Sequence, residues 1–181
     1  MTPDMVLANF EATVQPWIES LPHYTSRQFA SIPEENAWSI GQVYEHLVSG
    51  TRNFHLRMVE ACLNGQGERT EEPANENGQR ALAANSFPPV RIAVPPSPQY
   101  TPVQPAGPEE VSARLGALVV DLRTYPERVA GADPNVKMQH PGLGKLNAQE
   151  WYQLIEMHFR HHLAQKARLD EWLNVPVDAE G

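Results

Sequence analysis

Nine of the chain's seventeen prolines fall between residues 66 and 108, with "FPPVRIAVPPSPQYTP" at the centre. Proline lacks the N–H that a helix ladder needs and its ring clashes with the preceding turn, so prolines at this density exclude a helix. The segment is expected to be an extended or polyproline-like crossover. Its apolar residues Phe87, Val90, Ile92, Val94 and Tyr100 predict packing along the body, although a connection this long can also cover an active site.

Two helices are expected on each side of the crossover. Thr2-Pro3-Asp4 reads as a start, with Thr as cap, Pro in the first position and an acid in the first turn. That helix runs toward Leu21, kinked or interrupted near Pro16 and stopped by Pro22. The second begins at "WSIGQV": Ser39 caps, Gln42 completes a capping box, and Trp38 and Val43 flank it as a hydrophobic staple. It runs to about Leu63, before Gly65 and Gly67. The third starts after Pro108 and ends near Pro126. "GADPNVKMQHPGLGKL" is turn-rich. "LNAQEW" then repeats the capping device, with Asn147 as cap, Glu150 three residues on, and Leu146 and Trp151 as staple. The last helix continues to about Leu173. Four helices with one long crossover describe an all-α four-helix bundle, expected as a single domain over residues 1–181.

The charge narrows the partners. Fourteen Lys and Arg against twenty-two Asp and Glu give a formal net charge of −8. Sequence-independent nucleic-acid affinity needs clustered cations, so DNA and RNA are not expected partners. Cys62 is the single cysteine, which excludes an internal disulfide framework and a Cys-rich metal site. The N-terminus does not read as a signal peptide. No apolar run approaches the roughly 18 residues of a spanning helix. A soluble cytoplasmic protein without a membrane partner is expected.

The last helix carries "HFRHHLAQ" (residues 158–165). At about 100° per residue, Trp151, Leu154, His162, Gln165, Leu169 and Trp172 all fall within roughly 40° of His158. His158 and His162 therefore lie on the apolar stripe, one turn apart, where two imidazoles can share a metal ion. An i, i+4 pair alone more often marks hydrogen-bonded core histidines. His46, about two turns into the second helix, shares its stripe with Val43, Ser49, Gly50, Asn53 and Phe54. A lone imidazole buried there would lose hydration with no gain. Brought against His158 and His162, it gives a three-nitrogen site with open positions, as expected of a catalytic metal. His161 sits at the stripe's edge. His55 falls about 180° from His46 and should face away. His23 and His140 sit beside prolines in turns, with surface or local packing roles expected. Cys62 lies about 24 Å along and roughly 160° around from His46, as a structural thiol.

Three stretches together resemble the DinB/YfiT-like superfamily. "WSIGQVYEHL" matches its W-S-x-x-[EQ]-x-x-x-H-L helix start, "HPGLGKLNAQEW" its H-P-x-x-G-x-L turn, and "HFRHHLAQ" its H-x-x-H-H-x-x-Q. They occur in the family's order and cover the chain nearly end to end. The resemblance implies a four-helix bundle, often a homodimer, holding a divalent metal with one histidine of the second helix and two of the fourth. Carried over by position, the ligands are His46, His158 and His162, the set that helical phase selects. Zinc or nickel suits three imidazoles, with iron and manganese as further choices. Members with known chemistry are metal-dependent transferases of bacillithiol or mycothiol, and an isomerase using such a thiol. The related domain of sulfoxide-forming iron enzymes is fused to a second catalytic domain, which is not expected here.

The expected activity is thus thiol S-transfer, with a small-molecule thiol and an electrophile as partners. Metal-dependent hydrolysis and a non-catalytic metal-binding bundle, acting as sensor or interaction module, are the alternatives. Gln165 is expected to hydrogen-bond a ligand or the substrate, and Tyr44, Asn53 and Trp151 to line the pocket. No general base stands out. Glu45, Glu150 and Glu156 are the carboxylates near enough in sequence to orient the imidazoles.

Overall fold

The computed structural model describes residues 1–88 and 101–175. Helix α1 (Pro3–Ser20) starts as its residues dictate, the Thr2 hydroxyl accepting from Met5 N at 3.3 Å. It runs through Pro16 without a break. Pro16 removes one ladder bond, but its own carbonyl is taken by the Ser20 hydroxyl at 2.7 Å. The inward residues Phe10, Val14 and Trp17 hold the helix in place. A 3₁₀ turn at Leu21–His23 and the short helix α2 (Ser26–Ala30) follow, the latter with a capping box at Thr25 and Gln28.

The second long helix comes in three pieces. Helix α3 (Ile40–Gly50) begins at the Ser39–Gln42 capping box. A π turn (Thr51–His55) follows, in which Leu56 N donates to Thr51 O, and helix α4 (Leu56–Leu63) completes the run. One turn thus holds an extra residue, which rotates everything after it by about 100°.

Between α4 and the third long helix, the exclusion of a helix is corrected. Strand β1 (Glu68–Arg69) and helix α5 (Glu76–Ala84) lie inside residues 66–108. Residues 74–87 are free of proline. Asn75 caps α5 by accepting from Gly78 N, and Asn85, left-handed at φ 47°, ends it. Gln153 and Arg160 bind α5's C-terminal end to the last helix through Leu82 and Asn85. Phe87 packs against the core, as expected. Val90, Ile92, Val94 and Tyr100 lie outside the described residues. Beyond them, Gln104 ties the chain to the start of α3, bonding Ser39 and the Phe29 carbonyl. A Cβ on Gly41 would come within 2.6 Å of Gln104 and 2.7 Å of Phe29 O, so glycine permits this close approach.

Helices α6 (Pro108–Leu122) and α7 (Pro126–Ala130) take the predicted third position. The turn-rich stretch folds into strands β2 (Val136–His140) and β3 (Gly144–Asn147), and with β1 they form an antiparallel sheet in the order β1-β2-β3. This small sheet adds to the all-α expectation. Helix α8 (Ala148–Leu173), capped by the Asn147–Glu150 box, packs against α1 on one side and against α3 and α4 on the other. With α6 against α1 and α3, the four long helices form a bundle.

Its centre is aromatic. Phe10 meets Phe159 edge-on at 5.1 Å and Trp17 meets Tyr44 edge-on at 5.1 Å. Such pairs add about 0.5–1.5 kcal/mol beyond the area they bury. Trp172, phased with the inward stripe, is instead 45% exposed near the end of α8. No helix among the described residues is long and apolar enough to cross a membrane.

Candidate metal centre

The two capping boxes fix where α3 and α8 begin and so which residues turn inward. His46 reaches across from α3 to His158 and His162 on α8. The Nε2 atoms of His46 and His158 stand 2.8 Å apart. The His162 ring lies 5.0 Å from that of His46 and 4.9 Å from that of His158. One ligand atom from each of the three lies within 4.8 Å of the other two, a span that small rotations would bring onto one ion with N–metal bonds of about 2.0–2.1 Å. All three residues are half-buried.

The electrostatics suit ligation. Burial lowers the His46 pKa to about 4, with the charge of His162 adding to it. Burial also puts His158 well below the ordinary value, reinforced by the neighbouring histidines. His162 is lowered by burial too, against an upward pull from Gln165. The imidazoles are therefore neutral at physiological pH, the form that binds metal. His162 Nδ1 donates to Gln165 Oε1 at 2.8 Å, which leaves Nε2 with its lone pair for an ion. Gln165 thus touches a candidate ligand. Trp38, read from sequence only as a staple residue, packs its ring 5.1 Å from His46.

The other candidates separate. Tyr44 points into the core: its hydroxyl donates to the Trp17 carbonyl at 2.6 Å and it is 1% exposed, so it lines no pocket. Asn53 is exposed on the π turn. Trp151 is fully buried, its ring 5.2 Å from Phe54 and 5.1 Å from His140. The three carboxylates are occupied elsewhere. Glu45 binds Arg114, Glu150 serves the capping box, and Glu156 holds Thr13 and Arg160. Cys62 is a buried thiol whose Sγ lies 3.7 Å from the Leu146 carbonyl, and burial pushes its pKa up to about 11.

His55 corrects the expectation that it faces away. It is buried, with its ring 5.2 Å from that of His158. The π turn removes about 100° from the 180° that separates it from His46 in a regular helix. The available signal was weak: Ser49, Gly50 and Thr51 are poor helix formers in mid-helix. His140 has the local packing role expected of it, its Nδ1 accepting from Gly142 N and Leu143 N at 3.1 Å each. His161 stands beside the site, its ring 5.4 Å from that of His162.

The family model described as the DinB superfamily matches residues 4–165 of this chain. Two solved structures share the fold. TT2238, a four-helix bundle protein, is 21% identical with a TM-score of 0.55, over 92% of this chain and 99% of that one. YfiT from Bacillus subtilis, described as a probable metal-dependent hydrolase with an unusual four-helix bundle topology, is 17% identical with a TM-score of 0.57, over 96% and 89%. No curated protein matches the chain.

Proposed function

This chain belongs to the DinB superfamily, and from that premise we propose that it is a divalent-metal-dependent enzyme that transfers a low-molecular-weight thiol to an electrophile. The observation that carries the reading is the convergence of His46, His158 and His162. Zinc or nickel suits three imidazoles, with iron or manganese as further choices. Bound there, a divalent ion supplies Lewis acidity that lowers the pKa of a nucleophile at its open position.

The protein's own residues do the rest. The three histidines, kept neutral by burial, hold the ion. Gln165 fixes the tautomer and ring plane of His162. Trp38 packs its ring beside that of His46. In the reaction the thiol gives up its proton to solvent and its sulfur forms a C–S bond to the electrophile. The leaving group departs with the electron pair of the bond that breaks.

Two considerations favour a thiol over water. A thiol starts near pKa 8.5 and needs only a modest lowering to ionise at neutral pH. Hydrolysis gains from a positioned acid or base, and the carboxylates nearest in sequence are committed to Arg114, to a helix cap and to Arg160. The description of YfiT as a probable metal-dependent hydrolase supports hydrolysis as the second reading.

The test starts with metal content by mass spectrometry for the wild type and for a His158→Ala, His162→Ala variant. About one divalent ion per chain in the wild type, and none in the variant, is the expected result. The loaded protein is then given bacillithiol or mycothiol with a halogenated nitrobenzene, beside an ester and amide panel. Conjugate formed only with metal and thiol supports transfer. Ester or amide turnover without thiol shifts the assignment to hydrolysis, and no turnover of either kind overturns the enzyme reading.

A further inference from the structure

The three candidate ligands are only part of a larger group of imidazoles. His55, on the π turn, is 6% exposed and lies with its ring 5.2 Å from His158 and 6.2 Å from Trp151. His158 turns Nε2 toward His46, which leaves Nδ1 on the opposite edge of its ring. That Nδ1 is buried and has no hydrogen-bond partner, and the same is true of His55 Nδ1. Two orphaned ring nitrogens thus belong to neighbouring imidazoles.

Ligand chemistry says what they are for. An imidazole that offers Nε2 to an ion carries its proton on Nδ1, and such an N–H nearly always has an acceptor that fixes tautomer and ring orientation. His162 has its acceptor in Gln165. For His158 no carboxylate or carbonyl fills this place among the described residues, and His55, outside the three candidate ligands, is the adjoining imidazole whose Nδ1 is likewise buried without a partner. The two Nδ1 atoms are not hydrogen-bonded to each other, so a link between them would need one water, accepting from His158 Nδ1–H and donating to the lone pair of His55 Nδ1. The π turn gains a reason: without its extra residue His55 would face away from the site.

We propose that His55 is the positioning residue of His158, holding that ligand's tautomer through a water bridged between the two Nδ1 atoms. This rests on the reading of His46, His158 and His162 as metal ligands. His55 touches neither substrate nor ion.

The experiment compares His55→Asn with His55→Leu in the full chain. The two side chains have nearly the same shape, but only asparagine places a polar acceptor where Nδ1 stands. Zinc affinity is measured by chelator competition, and the His158 ring nitrogens are followed by ¹⁵N NMR in the zinc-loaded wild type and variants. Expected are a loss of about 10- to 100-fold in zinc affinity for His55→Leu, and recovery to within about threefold of wild type for His55→Asn. In the wild type His158 should show a single Nδ1–H tautomer with a slowly exchanging proton, a readout that needs no variant to fold. Leucine binding zinc as tightly as asparagine, or a rapidly exchanging His158 Nδ1 proton in the zinc-loaded wild type, overturns the role of His55 and leaves the metal site standing. A wild type that binds no zinc, nickel, iron or manganese overturns both.

Discussion

Helix α8 carries two polar regions one turn apart, and they are built on opposite principles. Around Lys166 and Asp170 the polar groups are interlocked. The ammonium bonds Asp170 at 2.6 Å and the Ser20 hydroxyl at 2.6 Å, while the Tyr24 hydroxyl donates to the same carboxylate at 2.5 Å. One to two turns earlier, around His162 and His158, ring nitrogens crowd together, and His55 Nδ1 and His158 Nδ1 have no partner. Full satisfaction is what a structural network needs, because each buried polar group left alone costs about 1–3 kcal/mol. The open nitrogens of the histidine region are groups that a bound ion would satisfy. The first region holds the 3₁₀ turn and α1 onto α8.

The largest effect should come from breaking the satisfied region. Asp170→Ala leaves the Lys166 ammonium buried without its anion and should destabilise the protein by about 3–5 kcal/mol in urea unfolding. Changing both residues, Lys166→Met with Asp170→Leu, should cost far less, because no lone charge remains. The loss should be the same with and without added zinc. A zinc-dependent loss would join the two regions that the comparison separates.

Acid should break the histidine region instead. Burial lowers His46 to about 4 and His55 to about 3, the latter with added repulsion from His140 and His46. In the unfolded chain both sit near 6.5, so the unfolded state takes up protons first as pH falls. Their contribution is fully present above about pH 6.5 and is lost between there and pH 3–4. For the metal-free protein this amounts to on the order of 3–5 kcal/mol per histidine. A urea-stability profile between pH 7 and 4 checks it, and a flat profile would mean that these imidazoles are solvated.

Zinc should sharpen the contrast from the other side. An ion that binds only the folded state stabilises it by about 2.7 kcal/mol at a hundredfold excess over its Kd. The gain should appear in the wild type and in the Asp170 variant, and vanish in His158→Ala, His162→Ala. An equal gain in that double variant would place the ion elsewhere.

How much of this was legible in the sequence follows from what sets each feature. Capping boxes at Ser39 and Asn147 are local chemistry, so the starts of α3 and α8 could be read directly. With the phase of two helices fixed, helical periodicity alone puts His46, His158 and His162 on facing stripes. His55 could not be placed this way, because the π turn that brings it inward depends on tertiary packing that only weakly marks the sequence. Helix α5 was hidden differently: the prolines beyond Phe87 colour the whole segment, although residues 74–87 have none and carry their own cap at Asn75. The sheet was missed because strands of two, five and four residues are too short for period-two alternation to stand out. Tyr44 was expected to line the pocket, but it lies two residues from His46, about 200° around the helix.

The smallest predicted effect concerns Glu45, the carboxylate that adjoins His46 in sequence and that nearness alone would choose to orient it. It instead accepts from Arg114 at 2.6 and 3.0 Å and from Ser49, joining α3 to α6. Burial raises the Glu45 pKa, but the hydrogen bonds from Arg114 and Ser49 and the guanidinium charge outweigh it and hold the carboxyl below its ordinary value. A group lowered in this way contributes fully above the unfolded value near 4.3 and loses its contribution as pH falls below it. With Arg114 one-third exposed, solvent screening limits the pair to about 1 kcal/mol. Glu45→Gln should therefore lower stability by about that amount at pH 7 and by less near pH 3. Its zinc affinity by chelator competition should match the wild type. A tenfold loss of affinity would place Glu45 with the unsatisfied region, as an orienting group for His46, and would erase the division between a region that holds the bundle together and one that holds an ion.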